Sequence, residues 1–296
     1  MTVNQAKSTC GRRPGGVAIG GGLPRSSNEG VFEAGRGGQA KVAATIETLP
    51  IAGFSVEDCT REEALARLVS ERTRNEPVLW SFVNHNYTVS MQAWREALLA
   101  TRPLLHNDGV AMAWAARLLH QRRFRANLNG TDLIPWILQR VPPGWRVVFL
   151  GGRPGRAQAA AERLAARSGV EVVMVSDGYE GMADVPALLD RLNRARPDLV
   201  LLGLGDPRQG CWFLEHRHRL PPAVYAGVGA LFDFHSGSVP RAPRVFRVMG
   251  LEWFYRLARE PGRMWRRYSL DGMRFAWLCW RERRTAAGSC RLDGAG

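Results

Sequence analysis

The sequence predicts an α/β protein with a mostly parallel, Rossmann-like sheet, helices on both faces and a helical basic C-terminal appendage. Short apolar runs alternate with amphipathic stretches along most of the chain, which is the pattern of repeated βα units. Several of the apolar runs are continuous, as expected for strands that are covered on both faces. Of the 296 residues, 45% are apolar, which is enough to bury a substantial core.

Composition divides the chain into four segments. Residues 1–43 are rich in Gly, Arg and Ser with little apolar periodicity, so a disordered N-terminal segment is predicted. Residues 44–240 hold the α/β pattern. Residues 241–285 form the predicted appendage, with twelve arginines and four acidic residues between positions 241 and 284. Residues 286–296 are predicted to be a disordered tail.

The predicted elements follow in order from "ATIETLPIAGF", after which a helix is expected to begin at Ser55 with Asp58 as its capping partner. The run "PVLWSFVN" is a predicted buried strand that leads into a helix from about Tyr87 to Ala100. The run "PLLHN" is the next strand, and Val110 to His120 the next helix. A further helix is predicted after the cap at residues 130–132. The remaining strands are "WRVVFLGG", "VEVVMVS", "DLVLLGLG" and "AVYAGVGALF", separated by helices.

Polar and glycine residues follow the predicted strands at the point where each strand ends. The carboxyl ends of parallel strands meet at one edge of a sheet, where ligands of open α/β folds bind. We therefore expect the functional site at this edge. The candidate positions are Asn84, Asn86, Asn107, Asp108, Gly151, Gly152, Gly205, Asp206, Gln209, Gly229 and Asp233.

Two of these positions have a structural and a functional interpretation. Asp108, between "PLLHN" and the next helix, is either a helix N-cap or a reactive carboxylate. The stretch "FLGGRPGRAQAA" is either a tight turn or a backbone cradle for a diphosphate, which Arg153 and Arg156 would favour. The residues alone leave both pairs of alternatives open.

Charge and cysteine content narrow the class of protein. The formal net charge of +14 indicates an anionic partner, either nucleic acid, phospholipid or a phosphorylated substrate. Five scattered cysteines without a CxxC pair predict reduced thiols in a cytoplasmic protein with no zinc site. No apolar run reaches the roughly 20 residues of a spanning helix, and the N-terminus lacks an apolar signal core, so neither a secreted nor a transmembrane protein is predicted.

The C-terminal segment interleaves arginines with Trp253, Trp265, Trp277 and Trp280. Solvated basic helices, a nucleic-acid surface and an interfacial membrane segment are three interpretations of such a pattern. The mixture of Arg with Trp, Phe and Leu favours the membrane, because arginines meet anionic head groups while tryptophans settle at the interface. We therefore expect an anionic membrane surface as partner, and no nucleic acid.

Three blocks of the sequence together resemble the WecG/TagA/CpsF family of bacterial glycosyltransferases, from about residue 48 to 270. The first is "NDGVAMAWAARLL" with "LNGTDLIPWIL", and the second is "GLGDPRQG". The third is "GVGALFDFHSGSVPRAPRVFRVMGLEWFYRLAREPGRMWRRY", which matches the family pattern almost without a break.

The resemblance implies roles for individual residues. Asp108 corresponds to the aspartate taken as general base of an inverting transfer from a UDP-sugar, and Asn86 and Gln209 also carry over as catalytic residues. Gly151, Gly152, Arg153, Gly205 and Asp233 are the expected residues for the donor and its diphosphate. The resemblance implies a metal-independent enzyme, so no metal or other cofactor is expected. The expected lid arginines over the acceptor are Arg241, Arg256, Arg263 and Arg266.

The implied acceptor is a polyprenyl-diphosphate-linked sugar, which places the protein peripherally on the cytoplasmic face of the bacterial inner membrane. The chain looks most like the branch that adds a β-1,4-linked glucose in xanthan-type exopolysaccharide assembly. Asn84 stands where the family often has Thr, and Gly210 where it has an acidic residue. Both departures lie beside the expected sugar site, so an N-acetylmannosamine-type donor is an alternative, as is a non-enzymatic basic binding protein. The sequence leaves a homo-oligomer open.

Overall fold

A computed structural model describes residues 46–243, 245–246, 252–259 and 261–292. The predicted disordered segment 1–43 lies outside the described residues. Within them the chain forms a sheet of eight strands, which are β1 Thr48–Ile51, β2 Phe54–Glu57, β3 Val78–Val83, β4 Leu104–Asn107, β5 Arg146–Gly151, β6 Glu171–Ser176, β7 Leu199–Gly203 and β8 Val224–Gly227.

The sheet has the order β1-β2-β4-β3-β8-β7-β5-β6. Only β1 and β2 pair antiparallel, and all other neighbours are parallel. The predicted fold class, a mostly parallel α/β sheet with helices and a C-terminal helix, is therefore confirmed. The helices are α1 Arg61–Arg72, α2 His85–Ser90, α3 Arg95–Leu99, α4 Val110–His120, α5 Gly130–Leu138, α6 Arg156–Ala165, α7 Val185–Ala195, α8 Arg208–His216, α9 Leu231–His235, α10 Glu252–Arg259 and α11 Pro261–Leu292.

The first two strands form a hairpin where the sequence predicted the start of a helix at Ser55. Ala52 and Gly53 both have positive φ, 53° and 81°, as a two-residue hairpin turn requires. The residues of β2 alternate in burial, with Phe54 and Val56 inside and Ser55 outside, which is a strand pattern. Helix α1 begins six residues later with a complete capping box between Thr60 and Glu63. The helix start at Ser55 was therefore wrong.

Each face of the sheet is covered by its own set of helices. On one face Leu79, Val148, Val200 and Tyr225 form an apolar cluster with residues of α2, α3, α4, α7, α8 and α11. On the other face lie Trp80 and Phe149, with Phe149 packed against Phe232 of α9 at 5.6 Å between ring centroids. This two-sided burial explains the continuous apolar runs of the central strands.

The C-terminal helix α11 is part of the folded core. Its residues Phe275, Leu278 and Cys279 are buried in the same cluster as the strands and α4. The helix extends through residues 286–292, where the sequence predicted the beginning of a disordered tail. Within the described residues, none of the helices has both the length and the apolar character that crossing a membrane requires.

Candidate active site

The strand-end residues predicted from the sequence do line one edge of the sheet. Strands β4, β3, β8, β7 and β5 are consecutive neighbours, and each ends in a turn that carries predicted site residues. In this order the turns hold Asp108, Asn84, Gly229, Asp206 and Gly152. Adjacent strands lie about 4.8 Å apart, so these turns span roughly 19 Å. The edge is thus long enough for an extended ligand that contacts several turns at once.

Asp108 and Asn84 are held together by the pairing of β3 and β4. The two strands are parallel and Val83 lies opposite Asn107, so the next residue of each strand emerges side by side. The Asn84 side-chain oxygen accepts a hydrogen bond from the Tyr87 amide and caps α2. This fixes the amide orientation, and Asn84 Nδ2 then donates to Asp108 Oδ2 at 3.2 Å. One side chain therefore both caps a helix and orients the half-buried carboxylate of Asp108.

The N-cap position of α4 belongs to Gly109, which has φ of 88° and no side chain with which to cap. The Gly109 amide instead donates to Asn127 Oδ1 at 3.1 Å. The Asp108 amide donates to the Val83 carbonyl at 2.8 Å and continues the strand pairing. Asp108 thus lies one position before the helix cap, which removes the N-cap interpretation of this residue.

Gln209 connects the turns that follow β7 and β8. Its Nε2 donates to Asp206 Oδ1 at 2.8 Å, and its Oε1 accepts from the Gly229 amide at 3.3 Å. The side chain is buried, with 2% of the residue exposed. A Cβ on Gly227 would lie 2.7 Å from Gln209 Nε2, so a larger residue there would displace the Gln209 amide. Gln209 is therefore at the predicted strand end, but as a buried connection between two turns.

The turn after β5 depends on glycine. Gly151 has φ of 118°, and a Cβ there would lie 2.8 Å from the backbone of Gly203. The Gly152 amide donates to the Gly203 carbonyl, and its own carbonyl accepts from the Gly178 amide. Arg153 is exposed at this turn, and Gly205 stands with φ of 72° and open space around its Cα. The turn is tight, in agreement with the first of the two interpretations of "FLGGRPGRAQAA", a tight turn or a diphosphate cradle.

Two arginine–carboxylate pairs lie beyond the ends of β5 and β8. Arg156 of α6 forms an ion pair with Asp233 of α9. Asp233, which was predicted to bind the sugar donor, is therefore paired with an arginine of the protein itself. Arg241 Nη1 donates to Asp132 Oδ1 at 2.6 Å. Its Nε and Nη2 atoms are buried and have no hydrogen-bond partner among the described residues. Arg241 therefore has two N–H groups, on Nε and Nη2, that could donate hydrogen bonds to a ligand oxygen.

His235 lies near Arg241. Burial lowers the pKa of its imidazole below the usual 6.5, with a further lowering from Arg241. The opposing effects are a hydrogen bond with the Thr131 backbone and the charge of Asp132. His235 therefore favours the neutral form in the folded protein.

The remaining predicted site residues are Asn86 and the lid arginines Arg256, Arg263 and Arg266. Asn86 is half-buried in α2, and its side chain forms no hydrogen bond to another described residue. The side chains of Arg256, Arg263 and Arg266 lie outside the described residues, although the backbone places them on α10 and α11. Their predicted role as lid arginines stays a prediction.

A sequence model of the WecG/TagA/CpsF glycosyl transferase family matches residues 49–289. This match spans nearly the whole described chain and covers the sheet from the second residue of β1 onward. The chain belongs to this family. It is therefore a glycosyltransferase, and the family implies in general a nucleotide-sugar donor and a lipid-linked acceptor.

Beside Asp108, this family member carries a buried polar cluster that sequence analysis did not single out. Glu57, Cys59 and His106 are buried, with ligand-type atoms all within 4.8 Å of one another. The Trp80 indole N–H donates to His106 Nδ1 at 2.8 Å, so the imidazole proton is on Nε2. Nε2 lies 3.0 Å from Glu57 Oε2, to which it donates, and 3.6 Å from Cys59 Sγ.

This arrangement suits a hydrogen-bonded network better than a metal. A metal at Nε2 would need the lone pair of that nitrogen, while Nδ1 accepts the Trp80 N–H, so the imidazole would have to lose its one N–H proton and become an imidazolate. Burial, with the nearby carboxylates, raises the pKa of the Cys59 thiol to about 12, which opposes the thiolate that metals bind. The network instead anchors the end of β4 directly before Asp108.

Sequence analysis also missed the partners of the predicted residues. Asn127 holds the Gly109 turn and Asp132 holds Arg241. Asp132 lies within the matching block "LNGTDLIPWIL", and Asn127 directly precedes it. Their roles depend on contacts 18 and 109 residues apart along the chain. No local pattern reveals contacts of that kind.

Proposed function

We propose that this glycosyltransferase moves a sugar, with glucose and a β-1,4 linkage as first choice, from a UDP-sugar to a polyprenyl-diphosphate-linked sugar in bacterial exopolysaccharide assembly. The observation that carries the proposal is the position of Asp108. Its carboxylate follows the end of β4, is oriented by Asn84 from the neighbouring strand, and is not the N-cap of α4. A carboxylate held in this way at the ligand-binding edge of the sheet is placed to act as a base.

In the proposed reaction Asp108 is the general base. The acceptor hydroxyl oxygen attacks the anomeric carbon of the donor as its proton passes to the Asp108 carboxylate. The bond from the anomeric carbon to the diphosphate oxygen breaks, and UDP leaves with the electron pair. One displacement inverts an α-linked donor to a β-glycoside. A positioned base contributes roughly 10²-fold or more to such a step.

The diphosphate is proposed to lie along the glycine turn after β5 and near Arg241. Gly151 and Gly152 bring backbone close to the edge, while Arg153 is exposed beside them. The buried Nε and Nη2 donors of Arg241 suit a phosphate oxygen, because a guanidinium presents donors in a planar fork. Arg256, Arg263 and Arg266 are proposed to close over the site from the C-terminal helices, as the family resemblance implies.

Membrane association is proposed to occur through α11. The helix carries eight arginines and two acidic residues, and Trp265, Trp277 and Trp280 are exposed. Arginine with interfacial tryptophan is the composition of helices that lie on anionic membranes. The proposed location is the cytoplasmic face of the inner membrane, where the lipid-linked acceptor would be available.

The test is release of UDP from labelled UDP-glucose and UDP-N-acetylmannosamine, with a short-chain lipid-diphosphate glucose as acceptor. We expect turnover of UDP-glucose, and loss of at least about 10²-fold in Asp108→Asn with unchanged UDP affinity. Turnover of only the N-acetylmannosamine donor would select the alternative donor. Near-native turnover in Asp108→Asn would reject its role as base.

A further inference from the structure

Helix α4 has an apolar outward face. Met112, Ala115 and Ala116 are buried against the sheet, and the opposite side of the helix carries Val110, Trp114 and Leu118 at intervals of four. These three residues are exposed by 42%, 73% and 48%. A helix on the surface of a globular protein normally turns charged and polar residues outward. Helix α4 is instead apolar on both sides.

Helix α11 repeats this pattern. Phe275, Leu278 and Cys279 are buried in the core. On the other side of the helix Met273, Trp277 and Trp280 are exposed by 62%, 53% and 51%. With 3.6 residues per turn, these three positions share one face, which points away from the protein.

The two outward faces belong to one surface. Helices α4 and α11 contact each other, and their buried residues enter the same cluster on the same side of the sheet. From this shared packing we infer that their opposite sides are exposed on the same side of the protein. We call this the α4–α11 surface, formed by Val110, Trp114, Leu118, Met273, Trp277 and Trp280. Groups of large exposed apolar side chains such as this one are typical of interaction sites.

Basic residues accompany this surface. Arg117 is exposed on the outward side of α4, where the helical period places it beside Val110. The Arg281 and Arg284 guanidiniums lie over the Trp277 and Trp280 rings, each 4.8 Å from the ring centroid. Residues 109–131 hold four arginines and no acidic residue. Large aromatic groups with arginines favour the interface of an anionic bilayer, since the guanidiniums reach the head groups.

We propose that the α4–α11 surface docks on an anionic bilayer, so that a helix of the catalytic core enters the interface together with the C-terminal helix. This rests on the proposed function in that the acceptor is a membrane lipid. Helix α4 begins two residues after Asp108. Docking through α4 therefore brings the proposed base to the membrane surface, where the diphosphate of a lipid-linked sugar lies.

The first test measures binding of Trp114→Glu to sedimented vesicles. The vesicles contain phosphatidylcholine with roughly 30% phosphatidylglycerol, so that their surface is negatively charged and attracts arginines. Because Trp114 is mostly exposed, the variant should fold. We expect its vesicle affinity to fall by about tenfold or more. The control Ala187→Glu makes the same charge change at an exposed position of α7, which packs on β6 at the opposite edge of the sheet. It should bind like the native protein.

The second test compares turnover on two acceptors. Trp114→Glu should keep turnover of a water-soluble acceptor and lose it on the same sugar diphosphate embedded in vesicles. Equal vesicle binding by Trp114→Glu and the native protein would overturn the proposal. So would a native dimer, seen by sedimentation velocity, that Trp114→Glu dissociates, since a second copy would then cover the surface. A native protein that binds vesicles but transfers no sugar would reject the proposed function alone.

Discussion

Replacing Asn84 with Asp should impair the reaction while leaving the fold intact. Aspartate caps helices as well as asparagine does, so the cap on α2 is kept. The Asn84 Nδ2 group, which donates to Asp108, is replaced by a carboxylate oxygen. If the new side chain takes the same position, this oxygen lies about 3.2 Å from Asp108 Oδ2. Repulsion between two charges at this distance is about 1.3 kcal/mol in water and about 5 kcal/mol at an effective dielectric constant of 20.

This repulsion favours a shared proton between the two carboxyl groups, so at neutral pH the base would be partly or wholly protonated. The assay is the pH dependence of UDP release between pH 5 and 9. We expect the acid limb of the profile to move up by about one pH unit or more. Asn84→Ser is the matched control, because serine keeps the cap and adds no charge. An unchanged profile in Asn84→Asp would show that Asn84 does not act on the proposed base.

Three further predictions concern the site and its support. Gln209→Ala should lower the free energy of unfolding by about 1–3 kcal/mol, measured in urea, because it removes the hydrogen bonds that the buried Gln209 side chain forms with Asp206 Oδ1 and the Gly229 amide; a stability equal to that of the native protein would contradict the connecting role. The free energy of unfolding should fall as the pH drops below about 6.5. Burial lowers the pKa of His235 in the folded protein, so the unfolded chain binds the proton more readily. In His235→Gln the slope of the unfolding free energy against pH should be smaller. Dialysis against EDTA should leave turnover unchanged, because Trp80 and the raised pKa of Cys59 disfavour a metal at His106; restoration of lost turnover by zinc would reject this.

The strands of the sheet were predictable because their burial has a simple signature. Runs such as "PVLWSFV" and "LVLLG" are apolar without alternation, and the structure buries them on both faces. The first hairpin was missed because β2 is short and its turn, Ala52–Gly53, has only one glycine. The capping pattern that suggested a helix at Ser55 is also found where no helix forms.

The candidate site was predictable in position but not in its contacts. Because the carboxyl ends of parallel strands converge, the sequence placed Asp108, Asn84 and Gln209 at one edge. It did not show that Gln209 is buried or that Asp233 is paired with Arg156. Those outcomes depend on which side chains the tertiary fold brings within hydrogen-bond distance, and sequence spacing does not encode this.

The packing of α11 into the core bears on how the protein is made. Phe275, Leu278 and Cys279 follow every strand of the sheet along the chain, so they leave the ribosome after the strands, yet they fill the same cluster as the strands and α4. Domains generally fold from the N-terminus during synthesis, so the nascent chain can form much of the sheet before this helix emerges. Until α11 emerges, the apolar positions that it covers in the folded protein are exposed and are available to chaperones or to aggregation. A premature stop before Phe275 would thus yield an aggregation-prone chain rather than a folded enzyme that is merely detached from the membrane.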